Sequence, residues 1–391
     1  MSKGLIRHLQ VSTESFSAFK FIAPLNRFVS QTGRYEGSIA CNMREYADAA
    51  SYRAELERNA HRVHHVPIPR RINPIKDLLA IISLVRMLRS DQPTILHTHT
   101  SKAGILGRIA GSLARVPVIV HTAYDFGHIR DVSGVWRWLY IFVEKLAARL
   151  CDCIFVIHAD GLNDAKRFGI ADEDLIVNTG VGLSFTEFDL SNVTDATRME
   201  VREKWNLPSD RPLVGTLARL VPHKGVDVLL RAIPRVLHEV PDAYFVIAGG
   251  GEKEGQLRKL AADLGIAESV TFTGFLKEQR LVPTYMSLLD VFWLATKWEG
   301  FGLVYPEANA MGTPVVGSDI PPVDYVIGRG VGGILADPES PEEFGEACVT
   351  LLRDEELRSQ MASAGARRAR HLFNEDDVSA RVVQVYDRLT C

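Results

Sequence analysis

Along the first part of the chain, short apolar runs alternate with segments whose apolar residues recur every three or four positions. Gly4–Val11, Ser38–Asn42 and Arg62–Pro67 read as strands, and Ile75–Leu88 has helical spacing. Strand Thr94–His97, helix Ala103–Leu113, strand Val118–His121, helix Val135–Leu150 and strand Cys153–Ile157 continue the series. Strands followed in turn by helices predict a parallel sheet with helices on both faces. From about Ser184 to Pro212 the chain turns polar and acidic, then shows one short helical piece up to Trp205.

The alternation then restarts. Strand Leu213–Leu217, helix Gly225–Val240, strand Tyr244–Ala248, helix Gly255–Leu264 and strand Val270–Thr273 come first. Strands Leu289–Leu294, Pro314–Gly317 and Gly332–Leu335 follow, and helices Pro341–Leu352, Glu355–Arg370 and Glu375–Leu389 close the chain. The predicted architecture is α/β: two doubly wound, Rossmann-like domains facing a central cleft. Residues 1–190 would form an N-terminal Rossmann-like domain, 191–212 a connector and 213–372 a C-terminal Rossmann-like domain. Residues 373–391 would be a helix packing back towards the N-terminal domain. Ligands in such folds sit beyond the carboxyl ends of strands, where strand order reverses.

Composition narrows the function. With 391 residues and 24% charged side chains, both halves can bury a sizeable core. A net charge of −3 does not suggest a nucleic-acid partner. The five cysteines are scattered and lack the second pair that a zinc site needs, so they read as free or structural thiols in a reducing cytoplasm. No signal peptide and no stretch of about 18 apolar residues is evident. The expected location is cytoplasmic, with contact at the inner face of the cell membrane.

Three motifs point elsewhere. Gly328-x-Gly330-x-x-Gly333 matches a dinucleotide fingerprint, but the residues after it look like a strand and a turn instead of a helix. Asp172-x-Asp174 could be a metal ligand pair, but reads as an acidic surface loop. The segment Arg130–Arg149, with Trp136, Trp138, Tyr140 and Phe142 among basic residues, fits either a membrane-surface helix or a helix facing the core.

The chemistry concentrates at Glu299-Gly300-Phe301-Gly302-Leu303-Val304-Tyr305-Pro306-Glu307. A strand feeds this loop, and Pro306 belongs only in a helix's first turn. The free N–H groups of that turn suit an anion. Ionised Glu299 and Glu307 accept hydrogen bonds only, as sugar hydroxyls require. Arg219 and Lys224 follow strand Leu213–Leu217. A bidentate fork and a mobile point charge together match a diphosphate without a divalent metal.

These residues resemble the retaining GT-B glycosyltransferases of family 4. The resemblance spans essentially the whole chain through Arg219…Lys224-Gly225, Gly249-Gly250-Gly251-Glu252, Phe272-Thr273-Gly274-Phe275 and Glu299…Glu307. It implies that Arg219 and Lys224 hold the diphosphate, Glu307 the ribose and Glu299 the donor sugar. Gly300, Phe301, Gly302 and Leu303 would touch sugar and phosphate. Gly250 would belong to the donor site, with Phe275 near the base. No cofactor is implied.

The N-terminal half is similar to the capsule and exopolysaccharide branch, through Arg71-Ile72-Asn73-Pro74…Asp77 and His97-Thr98-His99-Thr100-Ser101-Lys102. That branch implies a UDP-linked donor and a glycan acceptor on a membrane lipid; other branches use soluble or natural-product acceptors. The family's Thr-x-His-Gly after the strand ending at Val120 is replaced, so Tyr124 stands where a histidine is expected. The usual glycine-rich loop after the first strand is also missing, and Ser12-Thr13-Glu14-Ser15 stands there. His121 or His128 could supply the missing function, as could Tyr124 and Asp125. Glu299 and His121 are thus the catalytic candidates, and His97, His99, Lys102, Tyr124 and Asp125 the acceptor-side candidates. A non-catalytic sugar-nucleotide-binding protein of the same fold is the rival reading.

Overall fold

Neighbouring positions of the strands, such as Ile39 and Ala40, Ile95 and Leu96, or Ile119 and Val120, are buried together. Their sheet is therefore covered on both faces, as near-continuous apolar runs require. The computed structural model describes residues 4–43, 49–126, 129, 132–276 and 278–391. The chain divides into two units, residues 1–183 with 373–391 and residues 184–372, each built on one parallel sheet.

In unit 1 the strands are β1 (Ile6–Glu14), β2 (Tyr35–Asn42), β3 (Arg62–His65), β4 (Ile95–His99), β5 (Val118–Ala123), β6 (Cys153–Val156) and β7 (Ile176–Asn178). Their order is β3-β2-β1-β4-β5-β6-β7, so winding reverses between β1 and β4. Its longer helices among the described residues are α1 (Ala23–Gln31), α2 (Ala49–Arg58), α3 (Pro74–Asp91), α4 (Ser101–Ala114), α5 (Gly134–Ala148) and α6 (Ala159–Phe168). Strand β1 runs past its expected end at Val11. Ser12 and Thr13 are buried, and Glu14 still pairs with Asn42 beyond a bulge. Helix α3 starts where Asn73 caps the Lys76 N–H at 3.0 Å and Asp77 returns a bond to the Asn73 N–H at 3.1 Å. Pro74 then costs nothing at the first helical position.

Unit 2 begins with α7 (Asp195–Trp205). It continues through β8 (Leu213–Leu217), α8 (Val226–Glu239), β9 (Tyr244–Ala248), α9 (Glu254–Asp263), β10 (Val270–Gly274), α10 (Val282–Ser287) and β11 (Val291–Leu294). Then come α11 (Val304–Ala310), β12 (Val315–Ser318), α12 (Val323–Ile327), β13 (Gly333–Ala336), α13 (Pro341–Arg353) and α14 (Glu355–Leu372). The order β10-β9-β8-β11-β12-β13 reverses between β8 and β11. Trp293 is fully buried at its centre and stacks on Phe245 at 5.5 Å. Strand β11 begins two residues later than its apolar run suggests, because α10 carries the chain as far as Leu288. Residues 191–212 fall within this unit, with Trp205 edge-on to Tyr285 at 5.7 Å. Strand β13 follows the Gly328/Gly330 turn, where a dinucleotide fingerprint would need a helix.

The last helix, α15 (Glu375–Thr390), returns to unit 1. Val382, Val383, Val385 and Tyr386 share a core with Val29, Tyr35, Ile95 and Val120.

Candidate functional site

The reversal point of the second sheet lies between β8 and β11, and the segments leaving those two strands are bound together. The Lys297 N–H donates to the His223 carbonyl at 2.7 Å, and the Thr296 hydroxyl reaches the same oxygen at 3.2 Å. The His223 ring stacks on Trp298 at 4.3 Å. Lys224 consequently meets Glu299 in an ion pair whose side chains are only 14% and 12% exposed. Arg219 is exposed and makes no ion pair among the described residues. Burial pushes the His223 pKa down, and the charges of Lys224 and then Arg219 push it further. Both cations therefore act on one small region, with Glu299 inside it.

Two glycines shape the surroundings. Gly249 has a φ of +122°, and a Cβ there would lie 1.8 Å from the Ala218 carbonyl oxygen. The glycine run thus packs directly on the Arg219 segment, and Gly250 accepts from the Leu220 N–H at 3.0 Å. Gly302 has a φ of +84°, and a Cβ there would strike the Tyr305 ring at 2.6 Å. The Tyr305 hydroxyl bonds the Leu294 carbonyl at 3.2 Å, folding the loop back on its own strand. Phe301 is buried beneath this turn, whereas Gly300 and Leu303 are half-exposed. Helix α11 begins at Val304, so Pro306 and half-buried Glu307 stand in its first turn. Phe275, 62% exposed, lies beyond β10 beside Gly250.

In unit 1 the candidates divide between the two faces of the sheet. His97 and His99, two positions apart on β4, share a face. The His97 ring lies 2.7 Å from the Tyr386 hydroxyl and 2.7 Å from the Thr122 hydroxyl. His99 lies 3.2 Å from the Tyr124 hydroxyl and 3.0 Å from Gln10. A cavity of about 50 Å³ is lined by His97, His99, Thr122, Tyr124, Glu375 and Ser379, among others. It has room for a few waters. Burial holds the His97 and His99 rings neutral, with the His99 pKa pushed down to about 3. It also raises the Tyr124 phenol above its ordinary value.

His121 pairs in register with Thr98, on the other face. Its ring lies 3.0 Å from the Thr98 hydroxyl, and Gly104 of α4 presses on it so closely that a Cβ would meet the ring at 2.4 Å. At 3% exposure beneath α4, this placement does not fit the catalytic role expected of His121. Asp125 is half-buried just beyond Tyr124. His128, the other histidine considered, lies outside the described residues.

Lys102 opens α4 and pairs with Asp77 at 2.8 Å while also donating to the Arg71 carbonyl. The Arg71…Asp77 segment and Lys102 thus form one cluster. Thr13 stands in place of a glycine-rich loop; its hydroxyl meets Thr100 at 2.7 Å and accepts from the Ala103 N–H at 3.2 Å. Gln10, Thr122 and Tyr386 were not foreseen. A polar Gln10 in the middle of a buried strand is a signal the sequence carries. Tyr386 had none, because its partner His97 is 289 residues away. Among the described residues no metal-holding cluster occurs, and Asp172 and Asp174 are exposed.

Two family models match: "Glycosyl transferases group 1" over residues 197–368 and "Glycosyl transferase 4-like domain" over residues 31–179. The Escherichia coli UDP-Gal:alpha-D-GlcNAc-diphosphoundecaprenol alpha-1,3-galactosyltransferase is 30% identical over 74% of this chain and 74% of its own. The alpha-D-kanosaminyltransferase of Streptomyces kanamyceticus is 35% identical over 74% of this chain and 76% of its own. Among solved structures, Anabaena Alr3699/HepE in complex with UDP and glucose superposes with a TM-score of 0.80 at 18% identity, covering 98% of this chain and all of that one.

Proposed function

Because the chain belongs to the group 1 (family 4) glycosyltransferases, which have the GT-B fold and use a nucleotide-sugar donor, we propose that it transfers a sugar from a UDP-linked donor to a glycan acceptor on a membrane lipid, with retention at the anomeric carbon. The observation that carries this reading is the convergence of Arg219, Lys224 and Glu299 at the strand reversal of unit 2.

In the proposed reaction the diphosphate takes Lys224 from Glu299 and accepts the Arg219 fork. Glu299, released, receives a hydroxyl of the donor sugar, and Glu307 receives the ribose. Gly250, Gly300, Phe301, Gly302, Leu303 and Phe275 complete the donor site. The bond from the anomeric carbon to the phosphate oxygen breaks as the acceptor oxygen attacks from the same face. The leaving phosphate takes the acceptor's proton. Two cations offset the charge left on that phosphate, so no divalent metal is needed. In unit 1, Lys102, Tyr124 and Asp125 would meet the acceptor. His97 and His99, each bonded at both ring nitrogens, hold the strand ends and Tyr124 in place.

The lipid-linked acceptor has its support in the Escherichia coli relative. A natural-product acceptor is a second reading, supported by the kanosaminyltransferase's 35% identity. Mass spectrometry of UDP- and GDP-sugars incubated with polyprenyl-diphosphate glycans and with aminoglycoside acceptors, in EDTA, tests both. Product on the lipid alone supports the first reading, and product on the aminoglycoside alone the second. Donor binding with no transfer to any acceptor removes both.

A further inference from the structure

Helices α3 and α5 each carry an apolar face towards the core and a second one away from it. A helix at a protein surface ordinarily needs only the first. On α3, Ala80, Leu84 and Leu88 are buried, whereas Ile75, Leu78, Leu79 and Ile82 are exposed at spacings of three and four. On α5, Ile141, Glu144, Ala147 and Ala148 turn inward, while Val135, Trp136, Trp138, Leu139, Phe142 and Leu146 turn outward. Helix α4 packs against both. Among the described residues eighteen large hydrophobic side chains are exposed, and twelve of them lie on α3 and α5, at Ile72 or at Leu113. The exposed apolar surface is thus concentrated on one group of adjacent helices.

The charge around it is positive. Arg71, Lys76, Arg86, Arg89, Lys145 and Arg149 are exposed. The acids on the same helices have partners of their own: Asp77 pairs with Lys102 at 2.8 Å, Glu144 with Arg108 at 2.9 Å, and Asp91 lies 2.8 Å from the His64 ring. The chain as a whole has a net charge of −3, so the basic character is local. Exposed tryptophans on a helix group that also exposes Lys and Arg suit a bilayer's headgroup boundary. No helix among the described residues is long and apolar enough to cross a membrane.

We propose that α3 and α5 form a docking face for a bilayer surface rich in anionic lipids. Both helices lie in the plane of that surface, with Trp136, Trp138 and Phe142 entering the headgroup boundary and the six cations meeting lipid phosphates. Its purpose rests on the reading of a lipid-borne acceptor; its content rests on these two helices alone.

Co-sedimentation with vesicles tests it, using the full chain without donor or acceptor. Vesicles of phosphatidylglycerol and phosphatidylcholine should bind the protein at least tenfold better than phosphatidylcholine alone, and 0.5 M salt should remove most of that preference. Trp138→Ser with Phe142→Ser, and separately Leu78→Ser with Ile82→Ser, should each lower binding at least tenfold while UDP affinity by calorimetry stays unchanged. Equal vesicle binding by the parent and both variants overturns the proposal. So does a lipid-free dimer in the ultracentrifuge that these same substitutions turn into monomers, since the patch would then serve a second copy. Vesicle binding with transfer only to a soluble acceptor supports the docking face and overturns the lipid-borne acceptor.

Discussion

Single residues at the two strand-end clusters have opposite electrostatic situations. In unit 2 the charged groups are matched to one another and open to exchange: Lys224 holds Glu299, and Arg219 stands exposed. A carboxylate that accepts hydroxyls there contributes through charge-assisted bonds, each about 1.5–3 kcal/mol. Glu307→Ala is therefore expected to weaken UDP-sugar binding by roughly tenfold or more. Isothermal calorimetry reads this directly, and an unchanged affinity removes Glu307 from the donor site. In unit 1 the histidines are buried and neutral. Burial pushes His8 and His99 down to about 3, and holds His97 and His121 well below the ordinary value. The unfolded chain protonates near 6.5, so below that pH it binds more protons than the folded one. Stability is then fully present above pH 6.5 and is lost as the pH falls towards 3. For His99 alone the loss at pH 5 is about 2 kcal/mol. Urea unfolding at pH 7.5 and pH 5 should show unit 1 weakening with acid, and His99→Gln should reduce that difference by about the same amount. An identical pH dependence in the variant would show that His99 is already charged in the fold.

Helices transmit these positions through their own anchors. Arg108 of α4 is fully buried; it donates to the Gly104 carbonyl at 2.9 Å and to Glu144 of α5 at 2.9 Å. Glu144 is thus an inward-facing acid on a helix whose other side is apolar and exposed. Removing one member of a buried pair leaves the other uncompensated, at a cost of roughly 3–5 kcal/mol. Arg108→Ala is expected to lower stability by that amount, and Arg108→Met with Glu144→Leu to recover much of it; thermal unfolding of the three chains checks the pattern. The same helix shows which features can be read in advance. Apolar spacing identified α5, but the pattern is apolar on two sides, so the core face could not be chosen without the buried pair. Period-two alternation separates His97 and His99 from Thr98 within β4. It cannot say which face His121 shares, because that follows from the register of β4 on β5. Arg219, Lys224, Glu299 and Glu307 were legible because each follows a strong apolar strand or opens a helix. The Lys224–Glu299 pair was not, since it depends on β8 and β11 lying side by side across a gap of 75 residues.

At the scale of the whole chain, the path leaves unit 1 after Leu183 and re-enters it at Phe373, where the Leu183 N–H meets the Phe373 carbonyl at 2.9 Å. Unit 1 is therefore closed by residues that follow unit 2 in the chain. Arg27 pairs with Glu375 at 2.9 Å, Asp387 holds Arg34 at 2.7 Å and the Tyr35 hydroxyl at 2.5 Å, and Arg381 donates to the Thr179 carbonyl at 2.8 Å. Tyr386 does most within this contact, since it is fully buried, bonds His97 and packs near Tyr35 and His8. Truncating a large buried aromatic costs about 3–5 kcal/mol. Tyr386→Ala should spend that cost within unit 1, leaving His97 without one of its two partners. Opening free energies differ between parts of a protein when their contacts are separate. Hydrogen exchange by mass spectrometry should thus show faster exchange in β4, β5 and α1 of the variant, with β8, β11 and α8 as protected as before. UDP affinity, which belongs to unit 2 on the reading above, should be unchanged while transfer falls. Equal loss of protection in both sheets would instead make the chain one cooperative unit, with α15 a support for the donor site as well.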